Sequence, residues 1–470
     1  MDFSWKIVID AGAVSIALLL ATIIRSKIKL FQRFMIPNAI TAGFLLLPFY
    51  NYIYPNLGYG THKLGELVYH LLNISFVAMT LRAGTASVRR KSGGVVGTTT
   101  GILSQYALQA LTGLLLTFLL ISTISPSLSP AFGLFLPLGF ALGPGQAYAI
   151  GRGWEALGFE GAGSVGLTFA AVGYLWSCFA GVMLINYGIK KGWMSKSSLE
   201  AFQDKALMTG IVPAGNEKPV GARLSTDSEA IDSFSFHAAV VTATYFLSYL
   251  LLTALTWALG FAGNTGRELA VNLWGINFIF SALTAQIVRY FMRKLRLSYV
   301  LDDQSLSRIS GMAVDFMVAG AIAAISLVFV GQYWKEILIL STVCGIITTL
   351  TVPWMASRMF RDYRFERMLM IYGCSTGTLS TGLALLRVVD PEYRTPVAPD
   401  YMVSAGLTFL LAIPFILAIN LPAKAGQTGN MVPFWTMVVI AAIYLLVTMG
   451  SYLLLARKRS FKDASQVWSK

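Results

Sequence analysis

Apolar residues come in blocks of about 20, separated by short polar breaks, along nearly the whole chain. A helix needs that length to cross the hydrocarbon core of a bilayer. The pattern predicts spans near 7–24, 34–54, 64–81, 94–121 and 164–188 in the first half. It predicts 237–261, 269–292, 309–330, 335–356 and 400–420 in the second, and one more near 433–455. Two apolar segments do not read as plain spans. One is 131–158, which contains "ALGPGQAYAIGRG"; the other is 366–388, which contains "YGCSTGTLSTGLALLR". Both carry glycines, and the first a proline, where a helix interior tolerates them worst.

Positively charged residues decide how these blocks thread, because lysine and arginine collect on the cytoplasmic side. With the N-terminus outside and both broken segments entering and leaving on one side, the cytoplasmic loops gather most of the basic residues. These are Arg25–Arg33, Arg82–Lys91, Lys190 and Lys191, Arg293–Arg296, Arg358–Arg367 and Arg457–Arg459. Threading either segment as a full span puts the clusters that follow it on the wrong face. Both are therefore expected to be re-entrant hairpins. The first block, Ile7 to Ile24, reads as a retained helix because basic residues follow it rather than a small-residue cleavage site.

The longest polar stretch, 190–235, divides the chain near its midpoint, and a faint repeat spans it. "ISFVAMTLRAG" at 74–84 matches "ISGMAVDFMVAG" at 309–320 with one residue inserted, and "LIN" at 184–186 returns as "AIN" at 418–420. Gly145 precedes Gly377 by about 232 positions. Five spans plus a hairpin in each half is an odd count, so the halves sit upside down to one another. The expectation is an all-α polytopic membrane protein with two inverted-topology repeats of five transmembrane helices plus one re-entrant hairpin each, and an extra C-terminal helix. The first repeat is 1–189 with hairpin 131–158, and 190–235 is a cytoplasmic linker. The second repeat is 236–424 with hairpin 366–388, and 425–470 holds the extra helix and a basic tail.

Composition agrees with this reading. The chain is 56% hydrophobic and 12% charged, against about 25% charged in soluble domains, and its mean hydropathy is +0.65. The net charge of +14 follows from the cytoplasmic loops and calls for no nucleic-acid partner. Cys178, Cys344 and Cys374 are scattered in apolar sequence, which gives neither a disulfide framework nor a metal site. No G-x-x-x-x-G-K-[ST] loop, H-E-x-x-H helix or Ser-His-Asp set is present, so neither an ATP-driven pump nor an enzyme is expected.

Inverted repeats with paired discontinuous segments are the architecture of secondary transporters, whose sites lie between those segments near the midplane. The candidate substrate and ion site is therefore drawn from the two hairpins. Gly143, Gly145 and Gln146 offer backbone groups and one amide. Ser375, Thr376, Gly377, Thr378, Ser380 and Thr381 offer five hydroxyls within seven residues. Asp315 joins them because a carboxylate inside an apolar span usually marks an ion path or a buried partner. The plain alternatives are glycine-lined helix crossings, hydroxyls bonded back to their own turn, and a carboxylate that reaches interfacial water or Arg308. Arg152 and Arg387 each follow a hairpin tip and could attract an anion, though Arg387 leads into the polar stretch "RVVDPEYR".

Several stretches resemble the bacterial sodium/glutamate symporter family. "RFMIPNAITAGFLL" at 33–46 is similar to its second-helix element. "FVAMTLRAG…GGVVG" at 76–97 is similar to its third-helix segment and the loop beyond, and the two hairpins fall in corresponding places. The resemblance implies a homodimeric carrier in the bacterial cytoplasmic membrane that couples uptake of an anionic solute, glutamate, to Na+. It needs no other cofactor. Gly143, Gly145 and Thr378 are the expected sodium contacts, and Thr381 matches a family threonine. The first hairpin departs from the family's G-G-H-G-T-G, reading "LGPGQA" with Pro144 and Gln146, and Arg82 replaces an uncharged residue. Other readings are a proton-coupled or exchange carrier of another organic anion, and a channel or membrane sensor.

Overall fold

The computed structural model describes residues 5–34, 36–57, 62–82, 92–193, 209–212, 215, 220–227, 229–261, 263, 270, 273–274, 277–390 and 395–469. The side chains of Ile7, His62, Lys63, Ser92, Ser380 and Met402 lie outside that description, as do the expected basic residues Arg89, Arg90, Lys91 and Arg267. The described residues form helices and connections, with no strand among them.

In the first half α1 is Lys6–Lys27, α2 Lys29–Arg33, α3 Asn38–Pro48, α4 His62–Leu81 and α5 Ser92–Thr123. A π-helical turn, Leu136–Leu142, leads to α6, Pro144–Glu155, and then to α7, Ala162–Lys190. In the second half α8 is Ser233–Gly260, α9 Asn277–Lys294, α10 Asp303–Ala323 and α11 Leu327–Met359. There follow α12, Arg364–Ser375, α13, Leu379–Val389, α14, Val397–Leu417, the short α15, Leu421–Thr428, and α16, Val432–Ala456. Among the described residues nine helical segments are long and apolar enough to cross a membrane. The chain is an all-α polytopic membrane protein. α3 and α9 fall outside that set. α3 ends at Pro48 and passes into a π-helical turn, Phe49–Ile53, and α9 closes on Arg289, Arg293 and Lys294.

Contacts between helix ends fix which ends share a side. At one side, Asn51 after α3 donates to the Ile325 carbonyl before α11 (2.9 Å). There too the Ser125 hydroxyl after α5 meets Glu336 early in α11. At the other, the Arg25 guanidinium near the end of α1 donates to the Ile36 carbonyl before α3 (3.2 Å). Buried His237 at the start of α8 takes the Asp302 amide on Nε2 (2.8 Å) just before α10. Its Nδ1 lies 2.6 Å from the Ser233 carbonyl, so the proton belongs on Nδ1. Between these ends α8, α9 and α4 are joined by a buried polar chain. The Ser281 hydroxyl bonds Asn73 Oδ1 (3.0 Å) and Ser248 (3.2 Å), and Ser248 also donates to Asn277 (3.1 Å). Polar side chains of this kind tie membrane helices together.

The extra helix α16 packs along α5, and its basic tail does more than trail from the membrane. Arg358, fully buried at the end of α11, donates to the carbonyls of Lys462 (2.9 Å), Asp463 (2.6 Å) and Gln466 (2.9 Å). Its guanidinium also stacks over Trp354, 4.4 Å from the ring centre. Trp468 then lies flat on Trp193 beyond α7, at 4.6 Å between centroids and 11° between planes, and it also meets Phe365 at the start of α12. The tail thus bridges the ends of α7, α11 and α12. Beside it Arg367 of α12 forms a buried ion pair with Asp400 of α14 (2.8 Å). The pair fits only because position 94 on α5 is glycine: a Cβ there would lie 2.5 Å from the Asp400 carboxylate.

Two outcomes follow from this packing. Trp468→Ala, which removes about 3 kcal/mol of buried aromatic packing, should raise amide hydrogen exchange at 364–368 and near 190 while leaving α16 protected. Asp400→Asn should lower thermal stability more than Gly94→Ser, because it removes the buried partner of Arg367 and leaves only the more exposed Asp362 (3.4 Å) to balance its charge.

Candidate functional site

Each broken segment folds back on itself. In the first, the Phe135 ring at the start lies 5.0 Å from the Trp154 ring at the end. Phe132 stacks on Phe159 beyond it, so the two arms meet at their base and Gly143 stands at the opposite end, the tip. In the second, a Cβ on Gly373 would lie 2.6 Å from the Gly382 backbone, which shows the two arms pressed together next to their turn. Neither arm pair has the length to cross the membrane. Both segments are thus broken helices with arms that fold back on one another.

The local sequence explains each turn. In the first, the π-helical arm closes with the Gly143 amide donating to the Leu138 carbonyl (2.9 Å). Gly143 then takes φ +96°, a region where a side chain is strained. Pro144 occupies the first position of α6, where its missing N–H costs nothing. In the second, Thr378 and Thr381 form a capping box at the start of α13. The Thr381 hydroxyl accepts from the Thr378 amide (2.8 Å) and donates toward the carbonyls of Gly373 (2.7 Å) and Thr378 (2.8 Å). Thr376 bonds back to Tyr372 (2.8 Å). The Ser375 carbonyl, left over at the end of α12, takes the side-chain amide of Gln109 on α5 (2.8 Å).

The two tips meet. A Cβ on Gly143 would stand 2.5 Å from the Thr378 methyl and 3.8 Å from the Gly377 carbonyl. α7 passes behind both, its Gly173 so close that a Cβ would lie 2.8 Å from the Thr376 carbonyl and 3.1 Å from Phe140 Cα. Buried Tyr174 stands beside Thr378 and within electrostatic reach of Asp315 on α10.

A cavity of about 130 Å³ opens beside the junction. Gln146 and Thr378 give it polar groups on the hairpin side, and Tyr106, Tyr401 and Thr408 give it others from α5 and α14. Its far wall is aromatic, with Phe76 of α4, Phe278 of α9, and Phe409 and Phe415 of α14. No charged side chain lines it among the described residues. The Gln146 side chain is 4% exposed and the Thr408 hydroxyl is buried. No described residue hydrogen-bonds the Gln146 amide, and the Thr408 hydroxyl has no partner either.

The expected site residues therefore divide by task. Gly143, Gly377, Thr378 and Gln146 are brought together at the junction. Gly145 faces away: a Cβ there would lie 2.7 Å from Leu72 of α4, so it serves close packing. Thr376 and Thr381 spend their hydroxyls on the turn itself. The Ser375 hydroxyl is buried and unpartnered on the α5 side, and the Ser380 side chain is outside the described residues. Asp315 is exposed at the protein surface of α10 and does not line the cavity. Of the three expected sodium contacts, Gly143 and Thr378 touch, but the Gly143 carbonyl accepts from the Ala147 amide (3.2 Å). Among the described residues no cluster of three or more His, Cys, Asp or Glu is placed to hold a metal ion. Arg152 pairs with Glu155 near the hairpin base, and Arg387 is exposed.

Sequence reasoning passed over Thr408, Tyr106 and Tyr401, whose polar groups look ordinary within apolar spans. It also passed over Asp10. That carboxylate is 3% exposed and accepts from the hydroxyls of Tyr50 (2.7 Å) and Tyr54 (2.8 Å). The i, i+4 spacing of those two tyrosines was the available signal. No family model, curated protein or solved structure matches the chain.

The junction yields a sharp expectation. Gly143→Ala adds both a strained backbone and a collision with Thr378, and should cost several kcal/mol. Gly153→Ala, where open space surrounds the site, should leave thermal stability nearly unchanged in the same detergent.

Proposed function

We propose that this protein is a secondary transporter whose solute site lies where the two hairpin tips meet. The observation that carries the reading is the contact of Gly143 with Thr378 beside a cavity. Backbone breaks at membrane depth occur where protein buries them or where they line a cavity, and here they do both. Half-helices that begin at such a junction turn their positive ends toward a bound solute. The faint repeat supports the same reading, since the offset of about 232 carries Gln146 onto Thr378, its neighbour in the cavity wall. Likewise α4 and α10, which hold 74–81 and 309–320 of the matching segments, pack against one another. In this reading the two inverted halves rock about the junction, and a homodimer in the bacterial cytoplasmic membrane is the working assembly.

Coupling to Na+ is the first driving force to test, with glutamate as the first solute. Purified protein in proteoliposomes should accumulate solute under an inward sodium gradient and lose that accumulation when potassium replaces sodium. Uptake indifferent to the exchange would remove sodium from the account. Asp315 favours a second form of the same reading. It carries no ion pair or hydrogen bond among the described residues, and a proton-coupled carrier needs such a carboxylate. Uptake driven by a pH gradient alone, and abolished by Asp315→Asn, would identify that form.

A further inference from the structure

Gln146 sits in the first turn of α6, where backbone amides have no intrahelical partner. The half-helix begins at Pro144, runs twelve residues, and has no side-chain cap. The opposing α13 differs, because Thr378 and Thr381 close its first turn with their own hydroxyls. Of the two helix starts at the junction, that of α6 alone lacks a side-chain cap. Beside it is the Gln146 side-chain amide, 4% exposed, facing the cavity with no hydrogen-bond partner among the described residues.

A helix start of this kind favours one negative charge, and the side-chain amide of Gln146 can donate to it. The remainder of the cavity offers nothing for a second charge. Among the described residues no arginine or lysine lines it to receive another carboxylate, and no aspartate or glutamate lines it to receive an ammonium group. An unpaired charge moved into such surroundings is strongly disfavoured. The walls are instead phenylalanine and aliphatic, with Phe76 and Phe278 at 5.5 Å and Phe278 and Phe409 at 6.4 Å between ring centres. On the α14 side the Thr408 hydroxyl has no hydrogen-bond partner among the described residues.

We propose that the cavity binds a monocarboxylate with an apolar or aromatic body. The carboxylate lies at the start of α6 against Gln146, and the body lies among Phe76, Phe278, Phe409 and Phe415. This rests on the reading of the junction as a solute site and narrows it: a dicarboxylate such as glutamate carries one charge more than the cavity can accept, and an ammonium group besides.

The test is equilibrium binding of radiolabelled phenylacetate to the full chain in lipid nanodiscs. Glutamate, phenylacetamide and hexadecanol serve as competitors. Phenylacetate should bind and be displaced by its own unlabelled form. Phenylacetamide, the uncharged isostere, should compete at least about tenfold more weakly, since a hydrogen bond to a charged group is worth about that factor or more, and glutamate should not compete. Gln146→Leu should weaken binding about tenfold. Gln146→Glu, nearly isosteric and therefore a check on folding, should abolish binding at neutral pH by placing a second negative charge against the first.

Absence of phenylacetate binding at millimolar concentration overturns the proposal. So does equal competition by phenylacetamide, tighter binding of glutamate, or binding unaffected by both Gln146 variants. Displacement of phenylacetate by hexadecanol, which has the tail without the carboxylate, makes the cavity a lipid-tail groove and also overturns it. Transport is read separately in proteoliposomes. Glutamate uptake with no phenylacetate binding overturns the ligand class and leaves the carrier standing. Phenylacetate binding with the stated properties but no uptake supports the ligand class and removes the carrier.

Discussion

A backbone that stops being helical inside a bilayer has no water to satisfy its freed groups, and most of this structure follows from how two such stops are accommodated. The second hairpin settles its turn from within. Thr381 serves the Thr378 amide and the Gly373 carbonyl, and Gln109 reaches across from α5 to the Ser375 carbonyl. The first hairpin settles less of its own turn. Its π-helical arm closes on Gly143, proline removes one donor, and the start of α6 is left beside a cavity. The asymmetry is chemical as well as geometric: one tip is closed by hydroxyls and the other has no side-chain cap.

Bringing the tips into contact demands that surrounding helices approach closely and hold still. Gly173 lets α7 press against both hairpins at once, and the aromatic cluster of Phe132, Phe135, Trp154 and Phe159 closes the base of the first. The base of the second is held from the other end of the chain. There Arg358 grips the tail backbone, Trp468 stacks on Trp193, and Arg367 pairs with Asp400 against Gly94. α16 therefore has a structural task, carrying the tail to the place where α12 begins.

Most of the spans and both breaks were legible because bilayer thickness imposes a length, and glycine with proline marks a break. The hydroxyl-rich stretch 375–381 was legible as a place but not as a set of tasks. Thr381 and Thr376 have the composition of ligands and the geometry of caps, and only tertiary structure separates the two. Gly145 and Gly143 differ by two positions, yet one packs on Leu72 and the other meets the opposite hairpin. Thr408 was invisible because a lone threonine in an apolar helix usually bonds to its own turn, and here it does not. The uncharged, aromatic lining of the cavity is a property of helices brought together from both halves, which no single segment carries.

The central claim is that residues far apart in sequence, at 141–146 and 377–379, share one junction. Ala141 and Leu379 both line the cavity there. With Cys178, Cys344 and Cys374 replaced by serine, Ala141→Cys and Leu379→Cys should be joined within one chain by a short bifunctional thiol reagent in native membranes, shown by peptide mass mapping. Ready labelling of each cysteine with no cross-link between them, or linkage only between separate chains, would contradict the account.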